Sequence, residues 1–429
     1  MVKTAIDLDH IARIEGHGNV HVLINEGVLE TVEMQVSEPA RFFESMIAGR
    51  DYSEISYVAS RICGICSASH VVTNLLAIER IFNVEVSART KALRELLIYG
   101  SYLQNHATHL FVLAAPDYVE ESSVFPLAQS SPELFNSALA LKALGNELCT
   151  KIGGRSIHPI TAVVGGFTHE ITADQYLDLA KKMEEMLPFA QSSVDLFNSF
   201  PIPEIKTEGD MLAMVQDEYY PIESSRIAKL LLDDISFDAD DIHKYIEEYS
   251  VPHSAALLAR VRASKKPYMT SALARINASW KHLSSDAKVA AAKAGLRPPI
   301  YNPLRNNVAQ AVELIDALER CIAITKNLAE TIDTQSSKPV DYQVQAGRAV
   351  GYTEAPRGAL FHDIELDEKG VVVHASIVTP TAQNVASLES DIRILANSLL
   401  EQGKDEKTIK FEIEKLVRAY DPCLSCSVH

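Results

Sequence analysis

Two Cys-x-x-Cys pairs stand at opposite ends of this chain: Arg61-Ile62-Cys63-Gly64-Ile65-Cys66, with His70 soon after, and Asp421-Pro422-Cys423-Leu424-Ser425-Cys426, with His429 as the last residue. Four thiolates brought together can hold one soft metal centre. Any fold that does so must carry its first and last segments to one place. Closing so long a loop costs about 5 kcal/mol on the logarithmic chain-entropy scale, so a metal clip there is poor folding glue. A structural zinc site usually takes its two pairs from one local stretch, roughly fifteen to twenty residues apart. A redox pair of the thioredoxin kind explains one motif and ignores the other. Both stay open as alternatives, but chemistry is the better reason to unite the two ends.

With 47% of its 429 residues apolar and 23% charged, the chain can bury a large core and is not of the disordered class. Forty basic against 57 acidic residues leave a net charge of −17, which argues against nucleic acid as a partner. No apolar run approaches the roughly 18 residues needed to span a bilayer, and the stretch from Met1 to His10 has no signal-peptide core. Six cysteines make no disulfide framework. Cys149 and Cys321 lie on apolar helical stretches and read as packing residues. A cytoplasmic protein is expected.

Hydrophobic spacing predicts a hairpin over 17–36 with a Glu26-Gly27 turn, a short helix from Arg41 towards Gly49, and a helix over 71–84. A long helix should run from Ala88, capped by Ser87, to about Ala114. Further helices are expected at about 133–151, 173–199, 223–234, 239–249, 254–264, 284–294 and 306–332. The region from Tyr342 turns strand-like, with strands over 358–364 and 371–378, before helices at about 382–401 and 405–419. The glycines of 153–166 lack the Lys-Ser/Thr and the strand-turn-helix setting of a phosphate loop. Length alone suggests two or three domains, but a site shared by both ends favours a single catalytic domain, 1–429. The fold class expected is mainly α, a long-helix bundle with small peripheral β-sheets.

Arg-x-Cys-Gly-x-Cys-x-x-x-His near the start, with Asp-Pro-Cys-x-x-Cys-x-x-His at the end, resembles the large, catalytic subunit of the nickel-iron hydrogenases. The soluble multimeric cytoplasmic enzymes look most similar. Arg13-Ile14-Glu15-Gly16-His17, Glu354-Ala355-Pro356-Arg357-Gly358 and Pro380-Thr381 extend the likeness along the chain. The resemblance implies a nickel-iron centre held by Cys63, Cys66, Cys423 and Cys426, its iron bearing one CO and two cyanides. In it Cys63 and Cys423 would be terminal on nickel, and Cys66 and Cys426 would bridge to iron. Cys423 would be the first base and Glu15 the next proton carrier. His70 would donate to a bridging sulfur. Arg357, preceded by Pro356, would face the diatomic ligands with Asp117 and Asp421 around the open position, and Pro380 and Thr381 would lie beside the iron. Glu44, a backbone carbonyl near Ile377 and His429 would hold Mg2+ or a similar divalent ion.

The same resemblance implies heterolytic cleavage or formation of dihydrogen. No iron-sulfur cluster is expected in this chain, because no cysteine remains for one. An iron-sulfur small subunit and further electron-transfer subunits are the expected partners. Family precursors continue past the final histidine and are trimmed after nickel loading, so an ending on His429 looks like the processed form. The rival of another class is the related quinone-binding subunit of NADH:quinone oxidoreductases, which lacks the cysteine pairs.

Overall fold

The frame of the molecule, described here by a computed structural model over residues 3–25, 28–119, 121, 123–223 and 225–429, is a set of long helices. Ala88–Thr108, Pro132–Gly153, Ala173–Ser199 and Asn306–Glu330 pack on one another. Their starts follow capping chemistry: the Ser87 side chain accepts from the Thr90 N–H, and Thr172 and Gln175 form a reciprocal capping box. Gly154, at φ 76°, ends the second helix in the left-handed conformation. The first two helices touch backbone to backbone where Gly100 meets Gly145. A Cβ on Gly145 would fall 2.7 Å from the Gly100 carbonyl oxygen.

The helix from Ala88 carries on beyond Thr108 through a wide π-type turn, His109–Ala114, into Ala115–Tyr118. Pro116 has no N–H to donate back to the preceding turn, which accounts for the loosened ladder there. The helix expected at 71–84 starts earlier, at Ser67, with Cys66 at its N-terminal boundary. Cysteine is not a capping type, so nothing local marked that start.

Several expected helices are strands. Ile227–Leu230 stands within the expected helix at 223–234, with the strand Ile235–Asp238 just after it, and Leu258–Val261 replaces the helix at 254–264. The 239–249 region is a single helical turn, Ile242–Tyr245, followed by the strand Ile246–Tyr249. Their apolar residues serve sheet pairing: Ile227–Leu230 pairs antiparallel with Asp210–Met214, and Leu258–Val261 with Ile246–Tyr249. Pairing with these neighbouring segments overrode the helical periodicity. The early hairpin holds, Gly18–Asn25 with Val28–Val36, and gains a third strand, Lys3–Leu8; its Glu26-Gly27 turn lies outside the described residues.

In the sheet Gly347–Ala355, Gly358–Leu366 and Val372–Val378 the first two strands are almost wholly buried and the third is partly exposed. It packs against the helix Ser67–Ile81, and together these elements carry Cys66, His70 and Arg357 to one place. A continuous apolar core includes Ile6 near one end and Val428 near the other.

Inside this core, Arg275 pairs bidentately with Glu313 at 2.7 Å and reaches Glu354 at 3.2 Å. Its guanidinium also donates to the carbonyls of Ala355 and Pro356, at 3.0 and 2.9 Å, which sets the turn leading into Arg357. His106 and Tyr220 complete the shell around Glu313.

The tightest approach between the helix Ser67–Ile81 and this sheet is at Gly351, where a Cβ would lie 1.9 Å from the Thr73 carbonyl oxygen. Gly351→Ala is expected to cost about 3 kcal/mol, the upper end of ordinary overpacking, read as a lower denaturation midpoint. Gly64→Ala, whose Cβ would meet nothing within 4 Å, should leave that midpoint unchanged.

Candidate metal centre

Cys63 leaves a short helical turn, Ser60–Ile62, in extended conformation, and the Cys66 N–H donates to its sulfur at 3.2 Å. At the other end the chain leaves the helix Glu406–Ala419, and Asp421 takes a left-handed φ of 49° before Pro422. The final residues Ser425–Val428 form one tight turn. Two devices bind this end to the start of the chain. Glu15 and Cys423 pair as a parallel β-bridge, with the Leu424 N–H on the Glu15 carbonyl at 2.9 Å. Arg41 spans both motifs, donating to the carbonyls of Ile62 (2.7 Å), Arg61 (2.9 Å) and Ser425 (3.2 Å), while its own N–H meets the Val428 carbonyl at 2.7 Å.

The four cysteines are buried. The Cys63 and Cys423 sulfurs lie 3.8 Å apart, and those of Cys63, Cys423 and Cys426 fall within 4.8 Å of one another. Cys423 and Cys426 are joined as a disulfide in this structure; as metal ligands both act as thiolates. The Cys66 thiol, donating to Cys63, holds Cys63 below the ordinary thiol range, with Arg357 adding to the effect against burial. The same bond and burial push Cys66 well above it. Cys66 also stands at a helix N-terminus, where the backbone dipole favours an anion.

A small enclosed cavity is lined by Cys66, Cys423, Cys426, His70, Arg357 and Thr381, with Pro380 alongside. The Arg357 Nε donates to the Asp421 backbone oxygen at 2.8 Å and to its carboxylate at 3.0 Å, while Nη1 is buried with no partner. Burial works against this charge, but Asp421 and then the two cysteines outweigh it and keep the guanidinium protonated. Burial also opposes the Asp421 charge; Arg357, His109 and Asn105 overcome that and hold the carboxyl below its usual range. Asp421 in turn accepts from Asn105 at 2.7 Å and Gln310 at 3.1 Å. The Thr381 hydroxyl oxygen accepts the Cys423 N–H at 3.0 Å, which leaves its proton free to donate. Three sulfurs, an orphan cationic donor and a free hydroxyl proton around one cavity, with the Cys63 sulfur beside that of Cys423, suit a soft metal carrying small electron-rich ligands.

The Asp117 carboxylate is held by Arg13 and Arg418, which join the helix end to the segment before the terminal motif. Pro356 contributes its carbonyl to Arg275.

The Glu15 carboxylate accepts the Ser425 N–H at 3.2 Å and the Ser425 hydroxyl through a very short contact. Glu44 accepts the Ile377 N–H at 2.7 Å. The His429 Nε2 faces both the Ile377 carbonyl and Glu44, the latter at 3.9 Å, and its Nδ1 meets the Cys426 carbonyl at 2.9 Å. Nearby Glu248 has a buried oxygen with no partner, and burial with the Glu44 charge pushes its carboxyl up to about 7. Glu44, the His429 imidazole and the Ile377 carbonyl meet here, donors of a kind that a hard divalent cation accepts.

Sequence reading overlooked the roles of Arg41, Ser425 and His362, the last of which lies 3.0 Å from the His70 Nδ1. Arg41 opens an expected helix and Ser425 lies inside the terminal motif, yet both act through contacts that only the closed fold creates. His362 lies on a strand distant in sequence and carried no local signal.

Among characterised proteins, the nickel-dependent hydrogenase family matches residues 41–133 and 250–429. The alpha subunit of sulfhydrogenase 1 from Pyrococcus furiosus is 34% identical, over 99% of this chain and 97% of its own length. One subunit of the F420-non-reducing vhu hydrogenase from Methanocaldococcus jannaschii is 30% identical over 90% and 97%. An NAD+-reducing [NiFe]-hydrogenase in its H2-reduced state superposes with a TM-score of 0.87 at 25% identity over the whole of both chains. The fold, the converging cysteines and these similarities agree: the chain belongs to the nickel-dependent hydrogenase family and is a hydrogenase catalytic subunit.

Proposed function

We propose that Cys63, Cys66, Cys423 and Cys426 hold a nickel-iron centre, with Cys63 and Cys423 terminal on nickel, Cys66 and Cys426 bridging, and one CO and two cyanides on iron. The observation that carries this reading is the meeting of the two motifs, with the buried Cys63 and Cys423 sulfurs 3.8 Å apart and Cys423 lining a small cavity with Cys66 and Cys426. When bound, the centre supplies the electrophile at which dihydrogen is split heterolytically. The unpartnered Nη1 of Arg357 and the free hydroxyl proton of Thr381 are the donors that would face small ligands on iron, with Pro380 beside them. His70, lining the same cavity, would donate to a bridging sulfur.

The proton needs a base and a way out. Cys423 takes it first. Glu15 is the next carrier, bound to Cys423 by the backbone bridge and held by Ser425 through both N–H and hydroxyl. Asp421 keeps Arg357 charged and directed, a role for a rigid planar cation that lysine does not fill. Glu44, the Ile377 carbonyl and His429 would bind Mg2+ and pin the last residue to the sheet that carries Ile377.

The whole chain, 1–429, acts as one catalytic unit, because its site draws on both ends. Electrons leave through an iron-sulfur small subunit and further electron-transfer subunits. That is supported by Cys149 and Cys321, which are buried and outside the motifs, and by relatives whose names describe them as hydrogenase subunits. A cytoplasmic setting is supported by a cysteine usage too sparse for a disulfide framework. Among the described residues no helix is long and apolar enough to cross a membrane.

Two variants test these roles. Arg357→Lys should retain nickel and iron while turnover falls by about 100-fold or more, the scale for losing an oriented electrostatic donor; equal turnover would remove Arg357 from the chemistry. Glu15→Gln should also keep both metals, yet lose dihydrogen oxidation and hydrogen-deuterium exchange together, since exchange requires protons but not electrons to leave. Exchange near the wild-type rate, measured by mass spectrometry of the gas, would show that the proton takes another route.

A further inference from the structure

His70 and His362 form a histidine pair whose inner member has no role in the chemistry above. His70 sits one turn after Cys66, its N–H on the Cys66 carbonyl at 3.2 Å. His362 lies on the interior strand that follows Arg357. The His70 Nδ1 and His362 Nε2 are 3.0 Å apart, the ring centroids 5.2 Å apart, and the residues are 1% and 0% exposed. The other nitrogen of His362, Nδ1, is buried and has no hydrogen-bond partner.

Both rings are buried, which disfavours the charged imidazolium form of each. Two neutral imidazoles share one proton along their contact, so only two tautomeric arrangements exist. In one, the His362 Nε2–H donates to the His70 Nδ1. His70 then carries its own proton on Nε2, its remaining polar ring atom, and can donate to a thiolate. In the other, His70 donates from Nδ1 and presents a bare lone pair from Nε2, which repels thiolate charge. That second arrangement also places a proton on the His362 Nδ1, creating an orphan buried N–H, the rarer and costlier kind of unsatisfied group. Both considerations select the first.

We infer that His362 is a positioning residue: it fixes His70 as the Nε2–H tautomer and thereby keeps a hydrogen-bond donor available to the bridging thiolate. The inference rests on the reading that His70 serves a bridging sulfur. It extends the metal site one residue further, into a strand that contributes no ligand side chain, and it follows the general pattern in which an outer partner sets a histidine's tautomer.

The test uses the purified, metal-loaded protein and the infrared band of the iron-bound CO. A thiolate deprived of its hydrogen bond pushes more electron density onto iron and weakens the C–O bond. His362→Leu should therefore retain nickel and iron but show the band displaced to lower wavenumber. His362→Gln, whose amide nitrogen lies near the position of a histidine Nε2, should restore the wild-type band. If the Leu protein does not keep its metals, His362→Asn replaces it, because its shorter amide cannot reach His70, and the same displacement is expected. A band at the wild-type position in the displaced variants, or no rescue by Gln, overturns the positioning role. A wild-type protein without nickel or without a CO band would instead overturn the proposed centre.

Discussion

Everything at the site depends on a join between the two ends of the chain, made by the Glu15–Cys423 backbone bridge and the Arg41 guanidinium. Hydrogen bonds of this kind contribute only about 1 kcal/mol net each, too little to offset the entropy of ordering so long a loop. The join is affordable because the apolar core already runs from one end to the other and delivers both segments together. The same contacts give the join its chemical use. The residue proposed to carry the proton also holds the strand that bears the terminal thiol, so proton exit and ligand geometry share one short piece of backbone.

Around this join the interior is held by buried charge. Arg275 with Glu313 and Glu354, Arg418 with Asp117, and Arg94 with Glu79 are all pairs whose side chains are at most 5% exposed. Replacing such a pair with apolar residues is often neutral or stabilising, so these pairs are weak evidence for stability. Their positions point to specificity of geometry. Arg275 fixes the carbonyls that precede Arg357, and Arg418 fixes Asp117 while also meeting the Ala12 carbonyl at 2.9 Å, near Glu15. The first constrains the turn that presents Arg357 to the cavity, and the second constrains the segment that carries Glu15.

The proposed metal donors were legible because soft-metal chemistry favours cysteine thiolates, and a Cys-x-x-Cys pair marks itself at a fixed local spacing. Long helices were legible from caps and periodicity, as at Thr172 and Ser87. The middle of the chain was not: Ile227–Leu230 and Leu258–Val261 are strands because they pair with the segments shortly before them, which their own apolar spacing does not announce. The partners of Asp117, Arg13 and Arg418, come from opposite ends of the chain, and no local spacing announces either. His362, Arg41 and Ser425 act through contacts that no local spacing encodes.

The claim that one soft metal centre joins the two ends is tested most directly by X-ray absorption at the nickel edge of the purified protein. The expected spectrum shows a nickel shell of sulfur alone, from all four cysteines, with iron as a close heavier scatterer, and loses that shell in Cys66→Ser. Nickel coordinated by nitrogen and oxygen, or a four-sulfur site holding zinc in its place, would contradict it.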